Sequence, residues 1–159
     1  MTSPVSLHPI SPEHARRIVA REPIVGDAWH PEYPFGDELG PLTPYAASPG
    51  GHPVFTFYQV RETATGLAVG GIGFFGPPDA TGTVELGFGL VAAARGRGLA
   101  SAALAAAVDI AESHGASAVI ADTLLDNVAS QRVLEKNGFA VTRRDETLAY
   151  FRRELRSTP

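Results

Sequence analysis

No cysteine occurs among the 159 residues, which removes disulfides, thiolate nucleophiles and cysteine-ligated zinc together. Long apolar runs are missing as well. The longest mainly apolar stretch, around Leu99 to Val108, is mostly alanine and too short to span a bilayer. The first ten residues, MTSPVSLHPI, hold neither a basic segment nor a sufficient apolar one, so no signal peptide is expected. A concentrated basic face is also absent: the net charge is -4, and the arginines are divided between one glycine-rich turn, the Arg16-Arg17 pair and the C-terminal end. That is a poor footprint for nucleic acid. Internal repeats, linkers and low-complexity segments are not found. What remains is 44% hydrophobic and 19% charged, the balance of an ordinary globular domain, at a length that builds one core without staples. The expectation is a single soluble, cytoplasmic domain spanning residues 1–159, with neither nucleic acid nor membrane as partner.

One stretch organises the chain. Glu85 to Ser113 reads ELGFGLVAAARGRGLASAALAAAVDIAES: an apolar strand ending near Val91, a small-residue turn with Arg95, Gly96, Arg97 and Gly98, and an alanine-rich helix starting near Gly98. N–H groups at a helix start have no intrahelical partner and sit at the positive end of the helix dipole, so the turn is a ready site for an anion such as phosphate. Glycine lets the backbone approach closely, and arginine adds charge and directional hydrogen bonds. A dinucleotide-binding turn is the rival reading, because Gly96-x-Gly98-x-x-Ser101 follows a strand and Asp122 lies near the end of the next. Against it stand the serine at the third glycine position, the antiparallel strands ahead of the turn, and the paired arginines. A nucleotide P-loop is excluded, since no Gly-Lys-Ser/Thr is present.

The flanking elements follow from local signals. Val5 to Ile10 alternates as a strand, and Ser11-Pro12-Glu13 starts a helix that Pro23 ends near Glu22. Residues 23–53 are rich in proline and glycine but carry Trp29, His30, Glu32, Tyr33, Phe35 and Asp37; a loop of that length points to function, and Asp37 to Leu42 suits a short helix. Strands are expected over 53–61, 67–75 and 82–91 as an antiparallel meander, then a helix over 98–114 with Leu104, Val108 and Ala111 on one stripe, and a buried strand from Ala118 to Thr123. A short helix from Asn127 ends at Gly138, with Phe139 folding back near Leu134. Two strands, 139–144 and 147–154, complete a mixed α/β sheet flanked by helices.

Two motifs in order carry a family resemblance. Arg95-Gly96-Arg97-Gly98-Leu99-Ala100 resembles the R/Q-x-x-G-x-G/A pyrophosphate loop of the GNAT superfamily of N-acetyltransferases. Asn127-Val-Ala-Ser130 followed by Gly138-Phe139 is similar to the N-x-x-S…GF segment of its ribosomal-protein N-acetyltransferase-like (RimJ/RimL-type) branch. The resemblance covers roughly residues 53–145. It implies the GNAT fold, acetyl-CoA as cofactor, and acetyl transfer to a protein N-terminus or small-molecule amine by direct attack in a ternary complex. The same resemblance implies that residues 95–100 hold the pyrophosphate and that the pantetheine arm pairs with exposed backbone near Leu90 and Val91. Asn127 would bond the pantetheine, and Ser130 would serve the sulfur as proton donor or thiolate stabiliser. Many relatives place a tyrosine in this helix for that task, where this chain has Leu134.

The remaining candidates come from position and chemistry. In the strand 82–91, Val84, Leu86, Phe88 and Leu90 share one face and Glu85, Gly87, Gly89 and Val91 the other. The glycines clear space beside a lone carboxylate. Glu85 is thus either the general base, acting directly or through water, or a solvated strand glutamate. Asn127 is equally an N-cap, and Ser130 a back-bonding helix serine. His30 and Glu32 suit an amine acceptor walled by Trp29 and Tyr33, or the same residues pack the loop onto the core. His30-Pro-Glu32 lacks a third ligand, so no metal is expected. A non-catalytic acyl-CoA sensor is the alternative function, and C-terminal edge strands are compatible with a homodimer.

Overall fold

In the computed structural model, which describes residues 3–155, strands β1 (Val5–Pro9), β2 (Phe57–Glu62), β3 (Ala68–Phe74), β4 (Thr83–Leu90), β5 (Ala118–Leu124), β6 (Ala140–Arg144) and β7 (Leu148–Glu154) join in one sheet. Its seven strands run in the order β1-β2-β3-β4-β5-β7-β6. Every neighbouring pair is antiparallel except β4–β5, which is parallel. Among the described residues four α-helices accompany it: α1 (Pro12–Ala20), α2 (Leu39–Ala46), α3 (Leu99–Ser113) and α4 (Val128–Lys136). The mixed α/β class and the order of elements are those expected. No helix among the described residues is long and apolar enough to cross a membrane.

Local chemistry sets most boundaries. The Ser11 side chain accepts from the N–H of His14, with Pro12 at the first helical position of α1. The Asn127 side chain accepts from the N–H of Ser130 and caps α4. At the other end of α4, Gly138 takes φ 81° and the Phe139 N–H bonds back to the Leu134 carbonyl, with both side chains buried. Along α3, Ala103, Leu104, Ala107, Val108 and Ala111 form the buried stripe, and the helix lies against β1, β3 and β4.

Three boundaries differ from expectation. Helix α1 stops at Ala20 rather than Glu22, because Arg21 adopts a left-handed conformation (φ 57°) and closes the helix before Pro23 is reached. Strand β2 begins at Phe57 rather than residue 53, because the Val54 and Phe55 N–H groups bond to His52 Nδ1 instead of a neighbouring strand. The proline-rich loop is more ordered than its composition implies: a 3-10 turn at Gly36–Glu38 runs into α2, which continues to Ala46 despite Pro44.

The parallel pair positions the site. Strands β4 and β5 pair only from Thr83–Glu85 against Ala118–Ile120. Beyond that, β4 stays with β3 as far as Leu90 while β5 stays with β7 as far as Leu124. A wedge therefore opens toward the C-terminal ends of both strands, the end at which open sheets of this kind bind ligands.

Candidate active site

Main-chain geometry builds the first part of the site. Gly96 and Gly98 have φ of 78° and 79°, and nothing lies within 4 Å of where a Cβ would be on either. Among the described residues, none of the N–H groups of residues 96–101 has a hydrogen-bond acceptor; the first amide of α3 to find one is that of Ala102, on the Gly98 carbonyl. These amides line the positive end of α3, which has no side-chain cap. The two arginines are partly engaged elsewhere. Arg95 donates through Nε to the Leu90 carbonyl at 3.1 Å, and Arg97 pairs with Glu62.

The wedge supplies the second part. The Val91 N–H bonds to the Val69 carbonyl and the Glu85 carbonyl accepts from Phe75, so odd-numbered residues of β4 face β3. Alternation turns the main-chain groups of Leu86, Phe88 and Leu90 toward the wedge. This corrects one expectation: Val91 has no exposed backbone to offer, because its N–H is held by Val69 and its carbonyl by the Ala94 N–H. A cavity of about 230 Å³ fills the wedge, lined by Leu86, Phe88, Asp122, Thr123, Asn127 and Ser130 among others. Asn127 Oδ1 is occupied by its capping bond. Helix α4 is tied to the start of α3 by Asn137, whose Nδ2 donates to Ser101 Oγ at 3.1 Å and to the Val133 carbonyl at 2.9 Å.

A third part lies over a patch of glycines. Cross-strand pairs Gly71–Gly89 and Gly73–Gly87 leave the middle of one face of β3 and β4 without side chains. That bare face is covered by others: Phe35 lies over Gly89, Glu38 over Gly71 and Phe57 over Gly73. Between them is a cavity of about 210 Å³ whose lining includes Phe35, Leu42, Phe57, Phe75, Phe88 and Glu38. The two cavities share Asp37, Gly87, Phe88 and Asp122, so they meet at the opening of the wedge.

Glu38 is the most perturbed carboxylate here. The residue is 7% exposed; its Oε1 accepts from the Tyr33 hydroxyl at 3.0 Å, while Oε2 is buried with no partner. Burial pushes the Glu38 carboxyl up to about 7, against an ordinary 4.5, and the Tyr33 bond offsets only part of this. The Tyr33 hydroxyl is raised in turn, by burial first and by the Glu38 charge second. Since the folded protein keeps a proton that the unfolded chain releases near pH 4.5, this group's contribution to stability is intact below pH 4.5 and is lost as pH rises through about 7. Urea unfolding at pH 5 and pH 8 should therefore show the wild type losing, relative to Glu38→Gln, roughly 2 kcal/mol or a little more across that interval. Parallel pH profiles for the two proteins would contradict the burial.

Other expected residues fall outside the cavities. Glu85 lies on the glycine face as its spacing implies, but it is exposed and lines neither cavity; its carboxyl is raised by burial first and by Asp122 second. Trp29 bridges to the edge of β3 at Ala68 and meets Tyr33 edge-on at 5.2 Å. Glu32 accepts from the Ala93 N–H at 3.0 Å, and its own N–H bonds to His30 Nδ1. Trp29, His30 and Glu32 thus bond within the loop and to the turn after β4 and the edge of β3, while Tyr33 hydrogen-bonds to the cavity residue Glu38. The residues that sequence reasoning missed are Asp37, Glu38 and Asp122. Asp37 was visible as part of a short helix, and Asp122 only as a rival ribose ligand.

Comparison with known proteins agrees with this geometry. The chain matches the family described as Acetyltransferase (GNAT) domain over residues 5–140. No curated protein matches it. Among solved structures, a protein provisionally assigned as a phosphinothricin N-acetyltransferase is 22% identical with TM-score 0.66, the match covering 96% of this chain and 99% of that one. The ribosomal-protein-S5-alanine acetyltransferase of Vibrio fischeri is 14% identical with TM-score 0.68, covering 97% and 94%. A ribosomal L7/L12 alpha-N-protein acetyltransferase, RimL, in complex with coenzyme A is 15% identical with TM-score 0.69, covering 97% and 96%. At these identities the solved structures speak for the fold, while the family match spans most of the chain: the protein belongs to the GNAT acetyltransferase domain family.

Proposed function

We propose that the chain is an acetyl-CoA-dependent N-acetyltransferase that passes the acetyl group directly to a primary amine within a ternary complex. The observation that carries this reading is the run of acceptor-free N–H groups at residues 96–101 beside a wedge that opens into a second cavity. The residues fit the cofactor: open space over Gly96 and Gly98 admits a diphosphate against the amides of Gly96, Arg97, Gly98, Leu99 and Ala100. Arg95 and Arg97 flank it, and the main-chain edge at Phe88, together with the Leu90 N–H, faces a pantetheine arm, the Leu90 carbonyl being held by Arg95. Asn127 retains its amide nitrogen for the same arm, and the Ser130 hydroxyl lies in the wedge as proton donor or stabiliser. When bound, acetyl-CoA supplies a thioester whose carbonyl carbon accepts an amine. Asp37, Glu38 and Asp122 line the acceptor cavity: Asp37 and Glu38 hold an ammonium, and Asp122, at the opening of the wedge, takes its proton. Glu85, whose carboxyl is raised by burial and then by the Asp122 charge, is the alternative base, acting through a water from outside the cavity.

One observation favours the non-catalytic sensor: the helix position that carries a tyrosine in many relatives is Leu134, wholly buried. Calorimetry with acetyl-CoA and amine-dependent thiol release separate the two readings. Acetyltransfer predicts saturable binding, thiol release that depends on an added amine, and a turnover loss of about 10-fold or more in Asp122→Asn, exceeding that in Glu85→Gln. Tight binding with no thiol release across protein N-terminal peptides, polyamines and simple amines supports the sensor, and no binding removes both.

A further inference from the structure

We infer that Glu38 selects the acceptor: its buried carboxylate receives an ammonium, and the cavity around it takes a cationic amine with a compact apolar body while rejecting amines that also carry an acid group. The inference deepens the acetyltransfer reading by naming the substrate class, but it concerns binding and is testable without the cofactor.

The carboxylate is held by three groups on two pieces of the chain. The 3-10 turn carries it, the Tyr33 hydroxyl fixes one oxygen at 3.0 Å, and Gly71 makes room, since a Cβ there would lie 2.4 Å from Glu38 Oε1. Its other oxygen has no partner. A buried acceptor left unpaired is costly unless something satisfies it. An ammonium does so with a charge-assisted hydrogen bond, and the rings of Phe35, Phe57, Phe75 and Phe88 around the cavity offer an apolar lining to its body. No lysine, arginine or histidine is among the residues lining either cavity. A carboxylate or phosphinate on the acceptor would therefore meet Asp37, Glu38 and Asp122 with no countercharge. At about 210 Å³, the cavity suits one small amine or a single residue's side chain, and a purely structural role for Glu38 would leave affinity for such amines untouched.

The test uses phenethylamine, phenylalanine, which adds a carboxylate to the same ring and amine, and phenethyl alcohol, which lacks the ammonium. Binding to the full chain is measured by calorimetry without cofactor, and thiol release from acetyl-CoA is followed in parallel. Phenethylamine should bind about 10- to 100-fold more tightly than either analogue. Glu38→Gln should weaken it by about the same factor, mainly in KM rather than kcat, with part of the affinity restored in Glu38→Asp. The inference is overturned by no binding of phenethylamine to the wild type, by equal affinity for phenylalanine, or by unchanged phenethylamine affinity in folded Glu38→Gln. Should Glu38→Gln not fold, the wild-type ranking of the three compounds and Glu38→Asp decide the matter. Amine binding that follows this ranking while acetyl-CoA fails to bind would sink acetyl transfer and leave Glu38 as the recognition residue. Acetyl-CoA turnover with phenylalanine preferred would do the reverse.

Discussion

Gly98→Asp is expected to abolish acetyl-CoA binding while leaving a folded protein. Two effects combine at this position. Gly98 sits at φ 79° immediately before α3, where a side chain costs roughly 1–2 kcal/mol of left-handed strain, and a carboxylate there would stand against the diphosphate proposed to rest on the amides of residues 96–101. Charge repulsion and lost amide contacts should bring the total on binding to roughly 3 kcal/mol or more, a loss of about 100-fold. Gly115 provides the control, because its φ of 88° and open surroundings impose the same strain far from any phosphate. Gly115→Asp should lower the melting temperature without changing calorimetric affinity. If Gly98→Asp binds acetyl-CoA like the wild type, the turn does not hold the cofactor.

The largest effect on stability should come from Gly70→Ala. A Cβ on Gly70 would lie 2.3 Å from the Gly89 carbonyl oxygen, 2.7 Å from Leu90 Cδ2 and 3.0 Å from Leu90 Cα. At Gly71 and Gly73 the obstacles are the side chains of Glu38 and Phe57, which can rotate away. Gly70 meets the main chain of β4, so relief requires β3 and β4 to separate at the centre of the sheet. Overpacking of this kind should cost about 3 kcal/mol and lower the melting temperature by roughly 10 °C. Because the same pairing turns Leu86, Phe88 and Leu90 toward the wedge, cofactor affinity should fall along with stability. Gly40→Ala, on an exposed position of α2 with nothing within 4 Å, should instead stabilise by about 0.5–1 kcal/mol. Equal melting temperatures for Gly70→Ala and wild type would mean that β3 and β4 are not packed as described.

The parts of the molecule legible in the sequence are those decided by residues within a few positions of one another. Ser11 with Pro12 starts α1, Asn127 caps Ser130, Gly138 lets Phe139 fold back on Leu134, and Gly98 opens α3. Each is short-range hydrogen bonding or steric permission, so composition and spacing carry the whole signal. Alternation also placed Glu85 on the glycine face of β4. It left open which part of that face is covered, and the cover over Gly71, Gly73 and Gly89 comes from Glu38, Phe57 and Phe35 on other elements.

What the tertiary structure alone decided are meetings between distant residues. Arg97 pairs with Glu62, 35 positions away, and Glu32 reaches Ala93 across 61 positions. Val91 spends its N–H on Val69, and Asp37 comes to share the opening of the wedge with Asp122. None of these follows from local pattern, because each depends on strand register and on how the 23–53 segment folds across the sheet. The amino-acid sequence by itself therefore determined the elements, their order and the anion-ready turn, through forces acting along the chain. Where the Glu38 carboxylate lies was decided only when the 33–38 segment closed over β3 at Gly71, whose missing side chain leaves the space it occupies.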